Sequence, residues 1–209
     1  MSAAYIIGLL IKLFLLLTPF FILSVFVSTC DGMAADARRK LALRTGFAVI
    51  CASVIIYMFG KVIFECLGIS LNAFRIGAGL VLMLNGIDMV RSSLPKNRIN
   101  DENNSDPAVV PLAIPTTVGP GTIGTLLVMG ATVVERSAEM GSNRWMFFGA
   151  ELGMVIIAGL GICATLYFSD ALNRILKDKG VRILSKLTGM YIVALAAQII
   201  FDGVRGFLK

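Results

Sequence analysis

The sequence predicts an all-α integral membrane protein whose six transmembrane helices form two inverted three-helix repeats. Three observations carry that prediction. Of 209 residues, 57% are hydrophobic and only 15% charged, against roughly 45–50% and ~25% in an ordinary soluble domain. Six apolar stretches approach or exceed the ~20 residues that a helix needs to cross a ~30 Å hydrocarbon core. A polar linker over residues 92–107, SSLPKNRINDENNSDP, divides these stretches into two sets of three. Because three is odd, the second set enters the membrane from the opposite side, so any likeness between the halves makes them an inverted repeat, the architecture common among secondary transporters. The chain therefore reads as one membrane domain, 1–209, made of a first repeat (1–91), a cytoplasmic linker and a second repeat (108–209).

The first span, Tyr5–Val27, is too long for a signal h-region, lacks a basic leader and shows no Ala-x-Ala site, so it is expected to be retained. Thr18-Pro19 interrupts it, since proline removes a backbone donor and clashes with the preceding turn. The second, Thr45–Leu67, carries Lys61 and Glu65 one turn apart on a single face, where they can pair. The third, Leu71–Val90, opens on Arg75-Ile-Gly-Ala-Gly79 and closes on Asn85 and Asp88. The fourth, Val109–Val134, holds Pro111, Pro115 and Pro120 with Gly119, Gly121 and Gly124 inside fourteen residues. An unbroken helix is not expected there. Broken backbone at membrane depth is tolerated only where protein buries it or a watery cavity adjoins it, so a break is predicted near Thr116–Gly121. The fifth span, Trp145–Phe168, contains Glu151, and the sixth, Ile183–Phe201, contains Lys186-Leu-Thr-Gly-Met190, a cation followed by small residues as in the third. Gly77, Gly79 and Gly86 in the third span, and Gly149, Gly153, Gly159 and Gly161 in the fifth, are expected to let helix backbones approach closely.

The net charge of +6 does not point to nucleic acid, because the basic residues sit between apolar runs and not on one exposed face. Twelve follow the first, third and fifth spans, among them Arg38, Arg39, Lys40, Arg44, Arg91, Arg174 and Arg182, whereas Arg136, Arg144, Arg205 and Lys209 lie on the other side. The positive-inside rule places the richer side in the cytoplasm, so both termini face outward across a bacterial-type inner membrane. Four cysteines without CxxC spacing read as small buried hydrophobes. The chain has no histidine, the commonest metal ligand and general base, and no metal or cofactor is expected. No Gly-x4-Gly-Lys-Ser/Thr loop is present, so an H+ or Na+ gradient is the expected energy source. With no Gly-x-Ser-x-Gly elbow and no paired intramembrane aspartates, an enzyme is not expected.

A break in the fourth span exposes helix ends. The amides of Gly121, Thr122 and Ile123 would open the second half-helix, whose N-terminus carries roughly +0.5 charge and favours a carboxylate. Carbonyls freed on the other side can hold an ammonium group, and an amino-acid zwitterion needs both. The candidate substrate-binding residues are Thr18, Pro19, Pro115, Thr116, Thr117, Gly119, Pro120, Gly121 and Thr122. The plainer reading of the same residues is a proline-kinked helix whose small residues serve packing. Charges at the bilayer centre cost ~2.5–3.5 kcal/mol or more and usually mark a functional path, which makes Glu65, Glu151 and Asp88 ion-coupling candidates. The plainer reading there is local pairing, Lys61 with Glu65, Asp88 with Arg91 and Asp202 with Arg205, and snorkelling of Lys12 and Lys61 to the headgroups.

The segment AVVPLAIPTTVGPGTI at Ala108–Ile123, a Pro-Leu-Ala-Ile-Pro run followed by Gly-Pro-Gly, resembles the signature of MarC/SnatA-type proteins. GISLNAFRIGAGLVLMLNGIDM at Gly68–Met89 resembles the third helix of that family, and weaker similarity runs through Arg38–Arg44 and the sixth span. The resemblance implies a six-helix inverted repeat with outward termini, and ion-gradient-driven transport of small neutral amino acids such as glycine and alanine. The sequence departs from the family in the first helix, where Asn-Pro-x-Gly-x-x-Pro is replaced by Thr18-Pro19-Phe20-Phe21-Ile22-Leu23-Ser24. That departure leaves two alternatives open, a kinked first helix or a fully broken one. Rival readings are an exporter of amino acids or drug-like amphiphiles, and a non-transporting membrane scaffold. The expected partners are lipid and small neutral amino acids, with the choice between monomer and homo-oligomer open.

Overall fold

The computed structural model describes residues 3–30, 32–68, 70–91, 117–139, 141 and 143–208. The predicted linker 92–107, and Pro111, Pro115 and Thr116, lie outside them. Eight α-helices occur among the described residues: α1 (Ala3–Leu16), α2 (Pro19–Thr29), α3 (Ala35–Leu67), α4 (Leu71–Arg91), α5 (Pro120–Ala131), α6 (Val133–Glu139), α7 (Arg144–Tyr167) and α8 (Ser169–Phe207). Among the described residues, five stretches are long and apolar enough to cross a bilayer: Tyr5–Thr29, Ala35–Gly60, Leu71–Arg91, Arg144–Tyr167 and Lys179–Phe207. The described part of the fourth predicted span is the shorter apolar helix α5.

The helix boundaries follow local chemistry. Both α2 and α5 begin on a proline at their first position, where the missing N–H would have had no intrahelical partner. α3 ends at Gly68, whose φ of 61° is left-handed, the conformation that stops a helix most cheaply on glycine. α7 is capped by Asn143, whose side chain accepts a hydrogen bond from the Trp145 amide at 3.0 Å. α3 begins ten residues before the predicted second span, so the basic segment Arg38–Arg44 continues the helix. α8 is likewise longer than the sixth span and bends at Lys177, whose φ is 53°.

The main apolar core lies between α1, α2, α3, α5 and α7 around Phe26, Tyr57, Phe147 and Ile162. A smaller core joins Leu16 to α4 and α8 through Leu82, Met89, Ile192 and Leu195. Phe47, Leu84, Trp145 and Phe201 point away from both and are exposed, as expected of side chains that meet lipid. Among the expected packing glycines, Gly79 and Gly86 lie against α8 and Gly159 against Ile50, while Gly161 meets Phe14. Gly77, Gly149 and Gly153 instead face open space, so close packing does not explain them.

Candidate functional site

The site is assembled from the interrupted first span and the start of α5, the residues before Thr117 lying outside the described set. In the first, α1 stops at Leu16 and α2 starts at Pro19, with Thr18 between them at φ 52°, ψ 55°. Proline cannot donate to the turn before it, and the Thr18 amide takes the nearer Leu15 carbonyl at 3.0 Å. The first span is thus fully broken near its middle and not merely kinked. Of the two alternatives the break is the one found, with Pro19 present and without the asparagine, glycine and second proline of the family's motif.

In the second interruption, Gly119 is extended, at φ −78° and ψ 174°, and Pro120 opens α5. The first turn-closing bond of α5 runs from the Ile123 amide to the Gly119 carbonyl at 2.9 Å, so the Gly121 and Thr122 amides belong to the unpaired end of the helix. Gly121 and Gly124 lie so close to Leu82 and Ala78 of α4 that a side chain at either would collide.

The two interruptions meet. The Thr122 hydroxyl stands 3.3 Å from the Leu16 carbonyl oxygen and 3.4 Å from the Thr117 carbonyl oxygen. Leu16 precedes Pro19 by three residues and Thr117 precedes Pro120 by three, so corresponding carbonyls of the two breaks converge on one hydroxyl. Thr18, Pro19, Thr117, Gly119, Gly121 and Thr122 are all buried and Pro120 is exposed. Beside them, Leu13, Leu16, Ser53, Thr122 and Leu126 enclose a space of about 10 Å³. The Ser53 and Thr18 hydroxyls are buried with no hydrogen-bond partner among the described residues.

From Leu13 and Leu16 a larger cavity of about 160 Å³ extends past Thr125 toward the end of the bundle where α4 starts and α8 ends. Its wall carries Lys12, Arg75, Arg136 and Asp202. Asp202 therefore faces a polar vestibule, a placement that its spacing from Arg205 did not suggest.

Arg136 links this vestibule to Glu151, which is 0% exposed. The guanidinium donates to both carboxylate oxygens, at 2.6 and 2.9 Å, and also to the Met129 carbonyl. The hydroxyls of Tyr5 and Tyr57 donate to the same carboxylate at 3.0 Å each. Phe147 and Phe148 brace the two tyrosine rings, at centroid distances of 6.0 and 5.4 Å. Four elements, α1, α3, α6 and α7, are thus tied to one carboxylate. Its partners were not anticipated, yet a signal existed: Arg136 and Glu151 stand seven and eight residues from Asn143, on opposite sides of the turn between α6 and α7, a spacing that lets them face each other. Of the other coupling candidates, Asp88 sits in the last turn of α4, far in sequence from both breaks, and Glu65 lies on α3 with its side chain outside the described set.

The family model described as MarC family integral membrane protein matches residues 3–208. The chain belongs to the MarC family. It is 30% identical to the membrane protein YhcE of Escherichia coli (strain K12), over 94% of this chain and 90% of that one. It is also 30% identical to the membrane protein MJ1677 of Methanocaldococcus jannaschii, across the whole of both chains. The inner membrane protein MarC of Escherichia coli O1:K1 is 26% identical over 96% of this chain and 94% of its own. No solved structure matches the chain. This MarC-family chain is therefore an integral membrane protein whose paired helix interruptions lie below a charged vestibule.

Proposed function

We propose that this protein is an ion-gradient-coupled secondary transporter of small neutral amino acids, of the glycine and alanine class, which works by alternating access around the paired interruptions. The observation that carries the reading is the convergence of the Leu16 and Thr117 carbonyls on Thr122. Irregular backbone at membrane depth needs protein or water beside it, and here two such segments are gathered at one point below a cavity with room for several waters. The Gly121 and Thr122 amides offer a carboxylate the positive end of α5, and the carbonyls offer an ammonium group its acceptors. Thr18, Pro19, Thr117, Gly119, Pro120, Gly121 and Thr122 form this site; Pro115 and Thr116 lie outside the described residues. Lys12, Arg75, Arg136 and Asp202 supply charges of both signs on the approach, which suits a zwitterion. Glu151 is the coupling residue best supported, because its partner Arg136 also lines the vestibule.

The matched positions of Leu16 and Thr117 before their prolines support two inverted repeats, and the basic linker side supports an inner-membrane orientation with both termini periplasmic. Uptake of labelled glycine and alanine into proteoliposomes under imposed H+ and Na+ gradients tests the function. Accumulation above the no-gradient level is expected, and its absence for every small neutral amino acid under either gradient refutes the reading. Orientation is tested with the native thiols. Cys66 is exposed at the end of α3, while burial pushes the Cys30 thiol at the opposite end up to about 11, and the protonated thiol reacts poorly. An impermeant maleimide should label Cys66 from the periplasmic side alone and leave Cys30 unmodified. Labelling of Cys66 only after the cytoplasmic face is exposed inverts the orientation.

A further inference from the structure

We infer that the groove between α3 and α7 holds one anionic phospholipid, with its phosphate at Arg39 and Lys40 and an acyl chain along Leu43, Phe47, Leu160 and Ala164. Such a site needs nothing from the transporter reading.

The two helices run antiparallel. Arg39, near the start of α3, lies over the Tyr167 ring at the end of α7, 5.7 Å from its centroid. Farther along α3, the Tyr57 ring meets Phe148 at the start of α7, with centroids 5.4 Å apart. Between these ends the helices touch through glycine: a side chain on Gly46 would strike Cys163, and one on Gly159 would strike Ile50. Arg39, Leu43 and Phe47 follow one another at four-residue spacing and form one stripe of α3. Leu160, Ala164 and Tyr167 form a matching stripe of α7. The first stripe lies about 20–100° round α3 from Gly46, and the second about 40–100° round α7 from Cys163, in the same sense. In an antiparallel pair, equal turns in one sense fall on the same side of the contact. All six residues are exposed, Phe47 by 69% and Leu160 by 53%. The stripes therefore wall one outward-facing groove, floored by the glycine contacts and headed by Arg39.

Charge chooses the occupant. Arg39 and Lys40 are both exposed, and neither is in an ion pair among the described residues. Asp36 stands one turn away without pairing to either, and Asp170 is taken by Arg38, which ties the start of α8 to this end of α3. The head of the groove thus keeps two cations for a ligand, and cations at a membrane surface attract anionic lipid. Below them the walls are apolar for two turns, a surface that a free phosphate ion would leave unused and that an acyl chain covers. Tyr167 and Phe168 pack edge to face at the level of Arg39, with centroids 5.2 Å apart, and amphipathic rings favour the headgroup layer. A cationic head, an aromatic collar and an apolar stem match an anionic amphiphile from end to end.

Thermal melting of the purified full chain in a neutral detergent tests the groove, with dioleoyl phosphatidylglycerol, dioleoyl phosphatidylcholine or glycerol 3-phosphate added. A ligand confined to the folded form raises the melting temperature with its concentration. The expected result is a saturable rise of several degrees with phosphatidylglycerol, a smaller one with phosphatidylcholine and none with glycerol 3-phosphate. Arg39→Gln should raise the phosphatidylglycerol concentration for half-effect about fivefold, and Arg39→Lys, which keeps the charge, should restore most of the response. Leu43→Ala should weaken binding several-fold with every charge in place. Arg91→Gln, the same charge change at the end of α4, should leave the wild-type response. Equal curves in the two lipids overturn the proposal, as does a wild-type response in Arg39→Gln. An equal rise with glycerol 3-phosphate also overturns it, since the cations then serve free phosphate. So does a loss in Arg91→Gln as large as that in Arg39→Gln, because diffuse attraction to a charged micelle then accounts for the effect.

Discussion

Two polar regions lie within the apolar interior, and the protein treats them in opposite ways. Around Glu151 two guanidinium nitrogens and two tyrosine hydroxyls meet both carboxylate oxygens, and of the polar atoms in this cluster only Arg136 Nε is buried without a partner among the described residues. In the seam between the interruptions, the Thr18 and Ser53 hydroxyls have no partner among the described residues and Thr122 is held only at long range. A saturated network rigidifies the elements that it joins, and an unsaturated one is ready to receive something. Stability should accordingly depend chiefly on the first region, and substrate binding on the second.

The largest effect is expected from Arg136→Ala, which leaves the Glu151 charge buried. Breaking such a pair costs about 3–5 kcal/mol, read as a fall in melting temperature. Replacing both partners, Arg136→Met with Glu151→Leu, should recover most of that loss, because an apolar pair removes both desolvated charges. A double variant as unstable as Arg136→Ala would show that the network does more than neutralise a charge. Next comes Tyr57→Phe, which removes one donor to the carboxylate and should cost about 1.5–3 kcal/mol.

The seam should respond with the reverse pattern. Thr18→Gly relieves a left-handed backbone that costs a β-branched residue of order 1–3 kcal/mol and removes an unpartnered hydroxyl. It should therefore raise the melting temperature by the equivalent of about 1 kcal/mol, even as it alters uptake. The smallest change in stability, within about 0.5 kcal/mol, is expected for Ser53→Ala, together with a clear loss of gradient-driven glycine uptake. A Ser53→Ala protein that is markedly destabilised and fully active would erase the contrast between the regions.

What the sequence revealed divides along the same line. Prolines and glycines punctuate the backbone by local chemistry, so the start of α5 at Pro120 was legible from Gly119-Pro120-Gly121, and five long spans were legible from hydropathy. Whether the first helix breaks at Thr18 stayed open, because the comparison with a richer proline-glycine motif obscured how much one proline does. The Leu16 carbonyl was invisible, since every residue has one and only the fold selects which is left exposed. Ser53, Tyr5 and Tyr57 reach their positions through the packing of α1, α3 and α7, and a single sequence holds no record of that packing.

The close approaches of α5 have a mechanical consequence. On one flank Gly121 and Gly124 rest against Leu82 and Ala78 of α4, and on the other Gly130 lies against the Tyr57 carbonyl while Gly60 of α3 lies against that of Leu127. At these joints no side chain of α5 stands between the backbones. At these joints alone a short displacement meets no side chain of α5, so what holds the helix in register is the burial of Leu126 and Met129 in the main core.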